Sequence, residues 1–235
     1  MNKTEIKTQL ARVGTESMHC ERKCKGVKRS VEEGVYPRYV MISGSGDKIS
    51  CVIVSLAPPR TTVGDRKSFV AARGYEDMLE QCRSRVESTV FYARLNAIRN
   101  KLGLGGSAVW TTLCKCERVK GEEVPSETIQ ACVGSHLMKE LELVEKSVPI
   151  IAVGNRVFNA VRQSCPERFV LNIPNPDGRR GDFQKTVDNK KLLEFAKARM
   201  NEGRSGALCL CPPCARKHLS TDDASQWVKS NPQPA

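Results

Sequence analysis

The sequence predicts an α/β fold, a three-layer α/β/α sandwich around a central, mainly parallel, four-stranded sheet. Three observations point there. Four short apolar runs have strand length. Helical patterns separate them, so successive strands need crossovers instead of hairpins. The 235 residues suffice for one sizeable domain, or one domain with tails.

The runs 50–56, 108–113, 148–153 and 168–173 read as buried strands. The longest helical pattern spans 76–102, with Leu79, Cys82, Val86, Val90 and Ala93 three or four apart. A second follows the cap Pro125-Ser126 and runs to about 146, with Ile129, Val133, Leu137, Leu141 and Val144 on one face. A short helix is expected after Gly154 and another over 187–200. Three units follow: an N-terminal segment 1–35 with a cysteine pair, a core domain 36–203, and a Cys-rich tail 204–235. The end of that tail is expected to be mobile.

Composition narrows the class. Hydrophobic residues are 40% and charged residues 27%, as in soluble globular chains. No apolar run reaches membrane-spanning length, and the N-terminus MNKTEIKTQLARVG has no apolar signal core. The expectation is a cytoplasmic protein without membrane contact, and a monomer. Thirty-eight Lys and Arg oppose 26 Asp and Glu, a net charge of +12. Such a balance favours polyanions, with DNA the expected partner.

Eleven cysteines in a reducing compartment favour metal binding over disulfides. Cys51, Cys82 and Cys165 sit in apolar or helical contexts and read as core residues. Cys209, Cys211 and Cys214, followed by His218, form a possible zinc set in the tail.

In open α/β sheets, ligands bind beyond the carboxyl ends of the strands. Here those ends read Ala57-Pro58-Pro59-Arg60, Cys114-Lys115-Cys116, Gly154-Asn155-Arg156 and Pro174-Asn175-Pro176-Asp177-Gly178. Pro, Gly and Asn set loop backbones, so together these ends suggest a site built from loops.

Several of these blocks, in order, carry a family resemblance. Cys20 and Cys24 form an N-terminal pair, and Ser55-Leu56-Ala57-Pro58-Pro59 follows the first strand. Lys67-Ser68-Phe69-Val70 comes shortly after, with Gly74 beyond it. Lys115-Cys116-Glu117-Arg118 leads through Pro125-Ser126-Glu127 to Cys132, and Ala152-Val153-Gly154-Asn155-Arg156 ends the third strand. Over roughly 18–200 the chain resembles the iron–sulfur branch of the uracil-DNA glycosylase superfamily. Its last loop, with Asn175 and Asp177, is more similar to that of the mismatch-specific uracil and thymine glycosylases.

The resemblance implies a monofunctional DNA glycosylase that flips a base out of the duplex. It implies a [4Fe–4S] cluster on Cys20, Cys24, Cys116 and Cys132. The gap between Cys20 and Cys24 is one residue longer than is common in that branch. Cys114, alternating with Cys116, is expected to face the other way. Phe69 would stack on the base, with Leu56, Ala57, Pro58 and Thr112 around it. Arg60, Arg156, Arg179 and Arg180 would contact DNA.

The departures from the pattern shape the expected chemistry. Leu56 stands where several relatives have glutamate, and Thr112 where an asparagine reads uracil. A threonine hydroxyl cannot reproduce a bidentate amide contact. Asn175 replaces histidine and Asp177 a serine. These changes favour a modified pyrimidine over plain uracil, with hypermodified cytosine of phage DNA as one candidate in antiviral defence. Asp177 ranks first as the acid, then Asp65. Asp77, near a helix start, has a helix-dipole role as its alternative. Asn175 would orient water or base; its alternative is an Asx-turn. Phe69 has a core alternative, and Arg179-Arg180 a solvated one. An ordinary uracil-DNA glycosylase and a non-catalytic nucleic-acid-binding protein remain the competing functions.

Overall fold

The computed structural model describes residues 2–30, 32–38, 40–71, 75–178, 181–203 and 205–215. The first helix, α1 (Lys3–Met18), opens with a capping box: Glu5 N donates to Asn2 Oδ1 at 2.9 Å and Asn2 N to Glu5 Oε2 at 3.0 Å. Strands β1 (Val27–Lys28), β2 (Val40–Ser43) and β3 (Ile49–Ser55) follow. Three helices come next: α2 (Val63–Ala71), α3 (Tyr75–Glu87) and α4 (Val90–Lys101). After β4 (Ser107–Thr112) and β5 (Glu117–Arg118), α5 (Ser126–Cys132) passes through a π-helical turn (Val133–Leu137) into α6 (Met138–Glu142). The chain ends with β6 (Ile150–Val153), α7 (Asn155–Ser164), β7 (Phe169–Ile173), α8 (Asp182–Asp188), α9 (Lys190–Asn201) and β8 (Gly206–Cys209).

The central sheet has six strands in the order β2-β4-β3-β6-β7-β8. Five run parallel and β2 pairs antiparallel with β4. Strands β1 and β5 form a separate two-stranded ribbon. The α/β class and the mainly parallel sheet are as expected, but the strand count of four is corrected to six. The expected runs are the inner strands β4, β3, β6 and β7. Both edges went unread because they are short and weakly patterned, Val-Met-Ile-Ser and Gly-Ala-Leu-Cys.

Strand alternation builds two cores. Val52, Val54 and Val109 face one layer with Ile6, Leu10, Ile129, Leu137 and Val157. Cys51, Ile53 and Trp110 face the other with Leu95, Ile98, Leu171 and Leu192. Helix periodicity was right in type and wrong in continuity. The 76–102 pattern breaks because Thr89 Oγ1 accepts from Tyr92 N at 3.2 Å and starts α4. The 187–200 pattern breaks at Asn189, whose side chain accepts from Leu192 N at 3.1 Å.

Strand β3 lies between β4 and β6. The chain therefore leaves β3 toward one side and returns on the other. The crossovers diverge at the carboxyl ends of β3 and β6, where such sheets open a crevice. No described helix is long and apolar enough to cross a membrane.

Helix α1 seats on this core through Gly14. A Cβ there would lie 2.1 Å from the ring of Tyr75, which is buried on α3. Gly14→Val should therefore destabilise the fold by about 1–3 kcal/mol, the usual cost of overpacking, despite its better helix propensity. Urea unfolding followed by circular dichroism measures this; unchanged stability would mean that α1 is not docked on Tyr75.

Candidate functional site

A crevice of about 660 Å³ opens at the predicted edge of the sheet, within the range of small-molecule sites. One wall is the loop after β3, Leu56-Ala57-Pro58-Pro59-Arg60, with Ser55 at its base. A second is the start of α4, with Thr89, Val90 and Phe91. Arg118, Val119 and Gly121 form a third, and Val153 ends β6 beside them. Asn175 and Asp177, beyond β7, complete it.

Six of the expected site residues thus share one cavity: Leu56, Ala57, Pro58, Arg60, Asn175 and Asp177. The last loop is an Asx-turn, in which Asp177 N donates to Asn175 Oδ1 at 2.9 Å and Gly178 N to Asn175 O at 2.9 Å. Arg94 holds it from α4, donating to Pro176 O at 2.8 Å with Asp177 Oδ1 at 4.0 Å. The Asp177 side chain is 64% exposed. Asp177 is the one carboxylate among the described lining residues, against Arg60 and Arg118.

Other expected site residues lie elsewhere. Asp65 caps α2: its Oδ2 accepts from Thr62 N at 2.5 Å and Thr62 Oγ1 at 2.6 Å. Phe69 is 5% exposed, in the core, with the Arg38 guanidinium 5.5 Å from its ring centre. Thr112 is fully buried and donates its hydroxyl to Cys114 O at 2.8 Å. Arg156 turns away, donating to Val124 O with Glu123 at 4.0 Å. Arg179 and Arg180 lie outside the described residues.

Phe91 is the crevice's aromatic residue, and sequence reasoning missed it. The 76–102 pattern reads as one continuous helix, which hides the new N-terminus at Thr89. That break is what brings Phe91 to the sheet's carboxyl edge.

Buried charge fixes the crevice loop. Arg38 Nη2 donates to Glu117 Oε1 at 2.7 Å and to Pro59 O at 2.6 Å. Thr61 N donates to the same carboxylate oxygen at 2.9 Å, and the Thr61 hydroxyl donates there too. Burial pushes the Glu117 carboxyl up, but Thr61 and Arg38 outweigh it and hold its pKa below the usual value.

On the other side of Glu117 lies the cysteine site. Cys20 and Cys24, Cys116, and Cys132 at the end of α5 line one cavity, together with Cys114, Lys115 and His136. Cys114 does not face away as expected. The strand ends at Thr112, so strand alternation no longer governs 114 and 116. The Cys114 thiol hydrogen-bonds to Cys132, and with Lys115 N at 3.3 Å it pulls the Cys132 thiol below its usual range. Burial and the neighbouring thiols push Cys116 up to about 12. Burial, then Lys115 and Lys139, lower His136 to about 4. Ser17 Oγ gives its proton to Val13 O, so His136 Nδ1–H donates to Ser17 Oγ at 3.1 Å.

Behind this site, Lys115 Nζ donates to Glu140 Oε2 at 2.7 Å, Thr111 Oγ1 at 2.6 Å and Thr112 O at 2.9 Å. No three of Cys20, Cys24, Cys116 and Cys132 have sulfurs all within 4.8 Å of one another. Among the described residues that spacing is met by Cys209, Cys211 and Cys214, a group that could hold a metal ion. His218 lies outside the described residues. Cys51, Cys82 and Cys165 are buried in the two cores.

No protein-family model matches the chain, and no curated protein matches it.

Removing one partner of a buried ion pair strands the other charge. Glu117→Gln should cost about 3–5 kcal/mol, whereas the double change Arg38→Met, Glu117→Leu should cost clearly less. Denaturant titration of both variants tests this. Equal losses would show that the pair acts independently of its desolvation.

Proposed function

We propose that the protein is a DNA glycosylase that receives a flipped, modified base in the crevice and hydrolyses its bond to the sugar. The observation that carries this reading is the convergence of Asn175 and Asp177 with the Leu56-Ala57-Pro58 loop in one basic-rimmed cavity. A base must leave the duplex for its sugar bond to be reached, which calls for a concave site beside cations. Arg60 and Arg118 supply the cations for phosphates. Phe91 supplies the flat face on which the base stacks, the role first assigned to Phe69.

In the reaction the carbon–nitrogen bond breaks and its electron pair leaves with the base. Water adds to the anomeric carbon and loses a proton. In this reading Asp177 stabilises the cationic sugar and takes that proton. Asn175 spends Oδ1 on the Asx-turn, so its amide N–H groups are left to donate to the base edge or to water. The apolar Leu56-Ala57-Pro58 wall favours a substituted pyrimidine over a base read by paired hydrogen bonds. Hypermodified cytosine of phage DNA fits that description, and antiviral defence would be the setting.

The four thiols Cys20, Cys24, Cys116 and Cys132 suit a [4Fe–4S] cluster. They come from three chain segments onto one cavity, and thiolates are the usual ligands of such a cluster. Bound there, the cluster would tie the N-terminal segment to the core as a structural clamp.

Mass spectrometry of free bases from a DNA panel tests the function. The panel holds uracil, deaminated purines, hydroxymethylcytosine and glucosylated phage DNA. Release of a modified pyrimidine is expected, falling about 10²–10⁴-fold in Asp177→Ala. Binding without release of any base would replace the enzyme by a non-catalytic DNA-binding protein. Equal release of uracil from ordinary DNA would replace the modified substrate. For the cluster, about four irons per chain are expected, lost in Cys116→Ser; iron-free wild-type protein purified without air would overturn it.

A further inference from the structure

We propose that Cys209, Cys211 and Cys214 bind a single zinc ion, separate from the four-cysteine set, and that this ion steadies the loop carrying Asn175 and Asp177. The metal assignment stands on its own; the loop's importance rests on the crevice reading above.

Sulfur spacing separates the two cysteine sets. A tetrahedral ion with bonds of about 2.3 Å places its sulfurs about 3.8 Å apart. All three tail sulfurs lie within 4.8 Å of one another, with Cys209 and Cys211 at 3.0 Å. Small side-chain movements therefore bring them to a common centre. No carboxylate or imidazole of the described residues joins that group. An all-thiolate set selects a soft or borderline ion and disfavours magnesium or calcium. Three thiolates leave one tetrahedral position, for water.

A second observation is the support under Cys209. Asn172 is fully buried and donates its amide to Cys209 Sγ at 3.0 Å and to Asn155 Oδ1 at 2.6 Å. Its Oδ1 has no hydrogen-bond partner among the described residues. A buried amide aimed at a neutral thiol gains little, because thiol sulfur is a weak acceptor. Against a metal-bound thiolate the same contact becomes a charge-assisted hydrogen bond, the usual outer support of a metal ligand.

Connection to the crevice runs through β7. Asn172 pairs with Cys209 in the sheet, and Leu210 N donates to Asn172 O at 2.9 Å. Asn175 follows three residues later. Thr186 Oγ1 donates to Leu210 O at 2.9 Å, which ties the same turn to α8. Closing three thiolates on one ion would therefore brace the end of β7, in addition to Arg94.

The test uses the full chain, purified without chelator, with zinc and iron counted by inductively coupled plasma mass spectrometry. About one zinc per chain is expected. The double variant Cys211→Ser, Cys214→Ser should lose that zinc and keep its iron; Cys116→Ser should do the reverse. Zinc-free wild-type protein, or zinc retained in the double variant, would overturn the site. So would a Cys209–Cys211 disulfide found by peptide mapping. Hydrogen exchange of the 174–178 segment should rise in the double variant, and unchanged exchange would remove the bracing role while leaving the ion. Should the double variant not fold, stepwise chelation of wild-type zinc gives the same two readouts. None of them depends on base release, so failure of the glycosylase reading is distinguishable from failure of this one.

Discussion

Glu117 holds a carboxylate where water is excluded, and both candidate sites are built against it. Taking an ion pair out of water costs several kcal/mol per ion, recovered only when the geometry is good and the remaining hydrogen bonds are made. Here one carboxylate oxygen accepts from Arg38, the Thr61 amide and the Thr61 hydroxyl. Arg38 spends its other donors on Pro59 O and Tyr36 O. Such a completed network has few alternatives of similar energy. The loop that walls the crevice is therefore held in one place, and so is the segment that carries Cys116.

Residues 115–117 extend this logic. Lys115 points to Glu140 and closes a second buried pair. Cys116 enters the cysteine cavity. Glu117 turns to Arg38. Three consecutive side chains thus anchor in three directions, and Arg118 emerges at the crevice. The segment after β4 is a rigid bridge. A change in the cysteine site would reach the crevice through a few bonds of backbone, with no long packing pathway required.

How far this could be read from sequence follows from the size of each signal. Strands β3, β4, β6 and β7 are buried on both faces, so they appear as apolar runs. Edge strands β2 and β8 are only four residues each, too short to stand out as apolar runs, and nothing in Val-Met-Ile-Ser marks an edge. The loop positions 56–60, 175 and 177 were legible because strand ends in a parallel sheet are where ligands bind. Phe69 misled because a phenylalanine shortly after that loop satisfies the resemblance and the core equally. Asp65 misled because a carboxylate three residues after Thr62 is also a helix cap. Buried Arg38 was invisible: a charge pattern says nothing about which arginine will find a carboxylate inside.

The two cysteine sets also differ in what closing them would do to the chain. Joining Cys24 to Cys116 closes a loop of about 90 residues, and loop closure costs more entropy the longer the loop. A cluster there would strip conformations from the unfolded chain and stabilise the whole fold, as long-range cross-links do. Cys209, Cys211 and Cys214 fall within one turn of chain, so an ion among them removes little of that entropy. Its effect must be local, on the sulfur atoms, on Asn172 and on the end of β7. The same residue type would thus serve two physical ends in one chain, and sequence separation, more than cysteine count, would distinguish them.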